Sequence, residues 1–306
     1  MIILNECPNF IDAKSTVITI GTFDGVHKGH QIILNRLSSI KKDKNLKSIV
    51  FTFYPHPRKI IQTSQPLQPI KILTTKDEKI QLLKNFDIDY LIFCPFTKEF
   101  ANQPPDDFVK YLIHQLNVKY VIIGYDHRFG KDRKGDINTF LQLKTIFNFE
   151  VEQIPAETID NINISSTKIR QFLTNGDIEN ANELLGYNYF ITGQVIKGKQ
   201  LGRQINFPTA NIKVNDPDKL IPAHGVYCGE AKVKDKLFKA AINIGFNPTT
   251  NNDNLEKIEA HLLQFNEDIY GETIQIFFHK KIRNERKFDS LESLKNQITE
   301  DIKLCQ

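Results

Sequence analysis

Cysteine is scarce in this chain and widely scattered. Four are present in 306 residues, at Cys7, Cys94, Cys228 and Cys305. No two stand at a spacing that holds a metal, and at this density a disulfide framework is not expected. A reducing, cytoplasmic setting fits that usage. Long apolar runs are missing too. None approaches the roughly 18 residues of a membrane span, so no membrane role is expected. The start, "MIILNECPNF", is too short and too polar to read as a secretory signal. No charge of one sign dominates: 40 basic residues stand against 36 acidic ones, for a net charge of +4. That balance gives no case for a nucleic-acid coat, and no basic cluster or recognition helix suggests one. Internal repeats and low-complexity tracts are absent. What remains is an ordinary globular composition, 40% hydrophobic and 25% charged, long enough for one large or two ordinary domains.

The first half alternates short apolar runs with helical patterns. Residues 15–21, 48–53, 89–94, 119–124 and 149–154 are rich in Val and Ile and read as buried strands. Helical patterns lie between them, at about 28–42, 75–86, 104–116 and 136–147. Such repetition implies a parallel sheet with right-handed crossovers. Two short helices are expected over 165–174 and 177–186, with Gly176 and Gly186 at their stops. After Gly186 the strands shorten and several alternate apolar with polar residues, as half-exposed antiparallel strands do. Leu291, Leu294, Ile298 and Ile302 then recur at helical spacing. The expectation is a domain over 1–186 with a parallel α/β sheet. A small antiparallel β-barrel closed by a terminal helix follows over 187–306.

The stretch "TIGTFDGVHKGH", residues 19–30, leaves the first of these strands and enters the first helix. The carboxyl end of a parallel strand is where α/β sheets bind ligands. Gly25 and Gly29 would let backbone N–H groups approach a phosphate, and a helix N-terminus adds partial positive charge. With a helix starting near His27, the imidazoles of His27 and His30 fall on one face and could share a triphosphate. A metal pair, or two satisfied surface histidines, is the alternative. The agreement of glycines, strand and helix favours phosphate.

In the second half, "GQVIKGKQ" (193–200) fits the first seven letters of a P-loop but carries Gln200 where Ser or Thr must ligate magnesium. "GYDHRFGK" (124–131) is one residue too long. In "GRQINFPTANI" (202–212), Thr209 offers a hydroxyl and Asn211 an amide oxygen, both hard ligands suited to Mg²⁺ with ATP. Pro208 would stiffen the turn presenting them. Taken alone, that stretch would read as a strand-end turn.

The form G-x-F-D-G-V-H-x-G-H, with Gly21, Phe23, Gly25, His27 and His30, resembles the adenylyltransferase half of bacterial bifunctional riboflavin kinase/FAD synthetases. It carries the H-x-G-H signature of the Rossmann-like nucleotidyltransferases. "TFYPHPR" (52–58), "GYDHRFGKDRKGD" (124–136) and "ISSTKIR" (164–170) resemble further segments of that family in order, and "GRQINFPTANI" resembles its riboflavin kinase motif. The resemblance covers nearly the whole chain. It implies that His27 and His30 bind ATP phosphates and steady the transition state of adenylyl transfer. Ser165, Ser166 and Thr167 would offer hydroxyls and N–H groups. Lys168 or Arg170 would follow one turn on, with Arg170 the better phosphate ligand. His56, Pro57, Arg58 and Asp126 would lie near flavin or nucleotide. In the barrel, Glu259 of "IEAHLL" would be the catalytic base, and Thr209 and Asn211 would hold Mg²⁺. Gly198, Lys199, Gly202 and Arg203 would cover the phosphates, and Arg283, Glu285 and Phe288 would flank the flavin. The family usually has Phe where His127 stands; His127 could stack there or donate to a phosphate. Asn247, Thr250 and Gln264 also depart from its pattern.

The implied function is phosphorylation of riboflavin to FMN and adenylylation of FMN to FAD. ATP is a substrate of both steps, Mg²⁺ the required ion, and the chain a monomer or weak homo-oligomer. A transferase acting on pantetheine phosphate or nicotinate mononucleotide would leave residues 187–306 unexplained. A flavin-binding sensor without catalysis is opposed by His27, His30, Thr209, Asn211 and Glu259.

Overall fold

Val17 and Ile18 are neighbours in sequence, yet they belong to different hydrophobic cores. Successive side chains of a strand point to opposite faces, so a strand whose residues are all buried must be covered on both. That is the condition of a central parallel strand, and it organises the first part of the computed structural model. Described are residues 1–9, 14–61, 70–159, 162–198, 200, 202, 206–246 and 256–305. They divide into two compact units, Met1–Ser165 and Ser166–Gln306.

The elements of the first unit are β1 (Ile2–Leu4), β2 (Thr16–Ile20), α1 (Lys28–Asp43), β3 (Lys47–Tyr54), α2 (Pro57–Ile60), α3 (Lys76–Leu83), β4 (Tyr90–Pro95), α4 (Lys98–Ala101), α5 (Pro105–Leu116), β5 (Val118–Gly124), α6 (Ile137–Phe147) and β6 (Glu150–Ile154), then a small hairpin of β7 (Thr158–Ile159) and β8 (Ile162–Asn163). Six strands form one sheet in the order β1-β4-β3-β2-β5-β6, all paired in parallel. Ile18 of β2 lies between Ile49 of β3 and Val121 of β5. One face packs Ile18, Phe51 and Val121 on Phe108 and Leu112 of α5 and Phe140 of α6. The other packs Val17, Val50 and Leu91 on Leu34 and Leu37 of α1 and Leu83 of α3. The expected strands and longer helices are all present. The edge strand β1 was not foreseen, because three residues are too few to show a period.

The second unit comprises α7 (Ser166–Asn175), α8 (Ile178–Leu185), β9 (Phe190–Ile196), β10 (Ala210–Lys213), β11 (Gly225–Val233), β12 (Lys236–Phe246), β13 (Glu256–Leu262), β14 (Thr273–Arg283) and α9 (Leu291–Cys305). Its strands close into an antiparallel barrel, β10-β13-β12-β11-β14-β9. Ala240, Ile242, Ile244, Ile258, Ala260 and Leu262 are buried, with less buried residues alternating between them.

The compact units divide at Ser165/Ser166, and α7 and α8, which fall within the expected first domain, are tied to the barrel. The Asn182 amide donates to the Phe278 carbonyl at 2.8 Å, and the Ala223 N–H to the Leu173 carbonyl at 3.0 Å. One expectation differs from the structure. The four cysteines form two disulfides, Cys7–Cys94 and Cys228–Cys305. The expectation of no disulfide framework is therefore corrected, and the argument from cysteine usage to a reducing compartment loses its support. The cause is topological. Parallel pairing of Leu4 with Ile92 carries Cys7 forward to Cys94, with Cα atoms 4.9 Å apart. The last turn of α9 brings Cys305 to within 5.1 Å of Cys228 by the same measure.

The terminal helix forms as expected, with Leu294, Ile298 and Ile302 of its apolar stripe half-buried. Leu291 is 69% exposed, and the fully buried side chain of α9 is Asp301. Peptide mapping without reductant should recover Cys7 joined to Cys94 and Cys228 joined to Cys305. Four alkylatable thiols in the native, unreduced protein would contradict both pairs.

Candidate functional site

Strand order reverses beside β2. The chain moves from β2 outward through β3 and β4, then returns to place β5 on the other side of β2. Loops leaving the carboxyl ends of β2 and β5 therefore diverge and open a crevice, the usual ligand position in an open α/β sheet. Three of the motifs leave strands at this end. Residues 21–30 follow β2, residues 55–58 follow β3, and residues 125–136 follow β5.

The β2–α1 loop is held from within. Asp24, 1% exposed, accepts from the N–H groups of Leu73 and Thr74 and from the Thr74 hydroxyl at 3.0–3.3 Å. The Thr74 hydroxyl in turn accepts the Gly25 N–H at 3.1 Å. That N–H is therefore committed inward, and the glycine is required there by its φ of +82°. His27 is the N-cap of α1, with Nδ1 accepting the His30 N–H at 3.3 Å. A neutral ring that accepts at Nδ1 carries its proton on Nε2. The two imidazoles are stacked, with centroids 3.6 Å apart and planes 16° from parallel. Phe23 adds its ring 5.1 Å from that of His30. The His30 Nδ1 is buried with no hydrogen-bond partner among the described residues. Burial, then the neighbouring His27 and the Lys79 ammonium, hold the His30 pKa well below the usual histidine value. His30, stacked on His27, is thus held neutral at the positive end of a helix dipole.

His56 caps α2, its Nδ1 accepting the Arg58 N–H at 3.2 Å; Pro57 occupies the first helical turn, and the Arg58 side chain is exposed. Asp126 is exposed in the turn after β5. The His127 ring stacks on Phe129 at 5.6 Å with its Nε2 buried, and burial lowers its pKa to about 4. Gly21 follows β2 directly. Ser165 ends the first unit, while Ser166, Thr167 and Arg170 fall in the first turns of α7.

On the barrel, antiparallel register aligns Asn211 of β10, Glu259 of β13 and Asn243 of β12 in one row. Their sequence neighbours Ile212, Ile258, Ala260, Ile242 and Ile244 are buried, so the row lies on the opposite face. Burial raises the Glu259 pKa above the ordinary glutamate value, against the opposing charge of Lys257. The Asn211 side chain lies against Gly198, where a Cβ would come within 2.4 Å of its Nδ2. The Phe207 N–H donates to the Gly202 carbonyl at 2.8 Å. His261 takes up the Pro208 carbonyl at 2.7 Å. Thr209 is the residue directly before β10. Glu285 accepts from the Asn243 amide at 3.3 Å. Arg283 is bound to Asp301 and has its guanidinium 5.8 Å from the Phe288 ring. Gln264 is exposed in the turn after β13. Lys199, Arg203, Asn247 and Thr250 lie outside the described residues.

Three participants escaped the sequence reading. Lys79 is buried, donates to the Thr22 carbonyl at 2.6 Å, and has its pKa lowered to about 8 by burial, with Asp24 opposing. Its spacing of four from Leu83, on the buried stripe of α3, was the available signal. Asn243 and Asp301 carried none, since each acts through a partner distant in sequence.

Residues 10–168 match the family described as FAD synthetase, and residues 185–306 the family described as riboflavin kinase. The chain is 38% identical over 294 residues to the bifunctional riboflavin kinase/FMN adenylyltransferase of Bacillus subtilis, covering 94% of this chain and 90% of that one. The corresponding proteins of Listeria monocytogenes and Escherichia coli are 37% and 36% identical, over 93% and 94% of this chain and 90% and 91% of theirs. A crystal structure described as a macrolide-efflux protein from Streptococcus pneumoniae superposes with a TM-score of 0.90 at 30% identity, covering 100% of this chain and 99% of that one. Among the described residues of this chain, no helix is long and apolar enough to cross a membrane.

The His30 environment has a direct spectroscopic consequence. Its ring resonances should stay flat as the pH falls through 6.5, the ordinary histidine value. A midpoint near that value would show that the imidazole is neither buried nor flanked by cations as described.

Proposed function

The chain belongs to the bifunctional riboflavin kinase/FMN adenylyltransferase family, and on that premise we propose which of its residues run each reaction. The enzyme phosphorylates riboflavin to FMN and adenylylates FMN to FAD, using ATP in both steps. We assign adenylyl transfer to residues 1–186 and phosphorylation to residues 187–306; the riboflavin kinase match begins at residue 185.

In adenylyl transfer, a phosphate oxygen of FMN attacks the α-phosphorus of ATP. The new P–O bond forms as the bond to the leaving pyrophosphate breaks. No covalent enzyme intermediate is needed, so positioning and charge stabilisation dominate. The observation that carries this assignment is the convergence of residues 21–30, 55–58 and 125–136 at the carboxyl ends of β2, β3 and β5. We give His27 and His30 the role of N–H donors to ATP phosphates at the start of α1, beside Gly21, Phe23 and Gly25. A neutral His30 donates there without the cost of burying its own charge. His56, Pro57, Arg58 and Asp126 border the flavin or nucleotide. The hydroxyl, N–H and guanidinium contacts of Ser165, Ser166, Thr167 and Arg170 to ATP rest on the family resemblance.

In phosphorylation, the riboflavin 5′-oxygen attacks the γ-phosphorus of ATP, the bond to the departing ADP oxygen breaks, and the hydroxyl proton passes to a base. We assign Glu259 as that base, because its burial raises its proton affinity toward what the step demands. The Thr209 hydroxyl and the Asn211 amide oxygen, next to the Glu259 carboxylate, form a hard-oxygen set suited to Mg²⁺. The cradle at Gly198 leaves room for the Asn211 side chain that a Cβ would take. Bound there, Mg²⁺ would neutralise charge on the ATP phosphates. Gly198, Lys199, Gly202 and Arg203 cover those phosphates, and Arg283, Glu285 and Phe288 border the flavin. We place the enzyme in the cytoplasm, as a monomer or weak homo-oligomer.

Chromatography of flavins after incubation with riboflavin and Mg-ATP tests the assignments. Glu259→Ala should cut FMN formation roughly 10²-fold or more while added FMN still becomes FAD. His30→Ala should do the reverse, slowing FAD formation roughly 10²-fold. Loss of both steps from either substitution in a folded protein would sink the two-site assignment. The pH profile of phosphorylation follows from the raised Glu259 pKa. A base works only when ionised, so the acid limb of kcat/KM should lie above the ordinary glutamate value of 4.5. A limb at or below it would argue against Glu259.

A further inference from the structure

The kinase site borders on a segment that leaves β14 and runs to α9, residues 283–288, and this segment is gripped from one side. Asp301 of α9 is 3% exposed. Its carboxylate accepts from Arg283 Nε at 3.0 and 3.1 Å and from Arg283 Nη2 at 2.7 Å, a two-pronged pair. Gln297, one helical turn earlier on the same face, donates from Nε2 to Asp301 Oδ1 at 2.8 Å and accepts from Arg286 Nη2. Two residues of α9 at i and i+4 thus hold the two arginines that flank Glu285. Arg286 also lies over the Phe288 ring at 4.7 Å.

What the grip fixes is Glu285. Its carboxylate accepts from the Asn243 amide at 3.3 Å. It fills the space beside Gly245 so closely that a Cβ there would come within 1.7 Å of Oε1. Asn243 is the register partner of Glu259. A line of contact, chain continuity and register therefore runs Asp301, Arg283, Glu285, Asn243, Glu259, with Arg283 and Glu285 two residues apart in the chain. The helix that begins the line is itself fastened to β11 by Cys305, one turn past Asp301. A buried carboxylate is costly unless paired, so the clamp has one well-satisfied arrangement and holds residues 283–288 in it.

We propose that Asp301, assisted by Gln297, is a positioning residue of riboflavin phosphorylation: through Arg283 and Arg286 it sets Glu285 and Phe288 at the flavin side of the Glu259 row. This rests on the assignment of that row as the kinase site. The terminal helix is then part of the flavin subsite rather than only a cap on the barrel.

The test uses the full-length enzyme, with both reactions measured on each preparation. Asp301→Asn keeps the shape and removes the charge. It should raise the KM for riboflavin roughly 10-fold, the size of one lost charge-assisted hydrogen bond. The KM for ATP in the same reaction, and FMN adenylylation, should stay within about twofold, inside the scatter of surface substitutions. Asp301→Glu, which keeps the charge, should recover part of the loss. Asp301→Asn combined with Arg283→Met should be no worse than the poorer single variant, because both break one line. Should Asp301→Asn not fold, Gln297→Met leaves the Arg283–Asp301 pair in place and should raise the riboflavin KM alone, roughly threefold, as for one neutral hydrogen bond. Equal increases in both KM values, additive losses in the double variant, or an unchanged riboflavin KM in a folded protein would overturn the proposal. Failure of the underlying site assignment has a separate signature: Glu259→Ala would retain phosphorylation.

Discussion

A single buried carboxylate turns the chain where the first site is built. Taking an ionised Asp out of water costs several kcal/mol unless its oxygens are met. Asp24 meets two N–H groups and a hydroxyl, all from Leu73 and Thr74. Thr74 then holds Gly25, and Thr75 starts α3 as its N-cap. That helix returns Lys79 to the Thr22 carbonyl, two residues before Asp24. The closed circuit from Thr22 through Asp24, Thr74 and Lys79 fixes the exit from β2. It thereby fixes where α1 begins and how its first two histidines stand.

Within that frame the histidines need little further support. His27 caps the helix and so commits one nitrogen. His30 stacks on it and is kept neutral by burial and by the same Lys79 that secures the loop. Structure and chemistry share one residue there: the cation that holds the backbone also biases an imidazole against taking a second charge.

The barrel reaches a comparable result by other means. Strand alternation separates an apolar interior from an outer face, and register lines up residues from three strands on that face. The Asn211–Glu259–Asn243 row is a product of pairing rather than of any loop, which gives Glu259, the base we propose, a rigid seat. The flavin border we propose is less intrinsic. Residues 283–288 follow the last strand and are held from the terminal helix by Asp301 and Gln297.

Much of this was legible in the residues themselves. Val- and Ile-rich runs and 3.6-residue periods located the main strands and long helices, because backbone periodicity is a local property. The motifs around His27, His56, Asp126, Ser165, Thr209 and Glu259 identified two phosphate-handling chemistries and their order, because each is a contiguous stretch. Tertiary structure alone decided the reversal of strand order beside β2, and the pairing of Cys7 with Cys94 and Cys228 with Cys305. It also placed α7 and α8 with the barrel, set Lys79 beneath the loop, and gave Asp301 its hold on Arg283. Each joins residues far apart in the chain. Which distant partner a side chain meets depends on register and packing, and no local pattern encodes those.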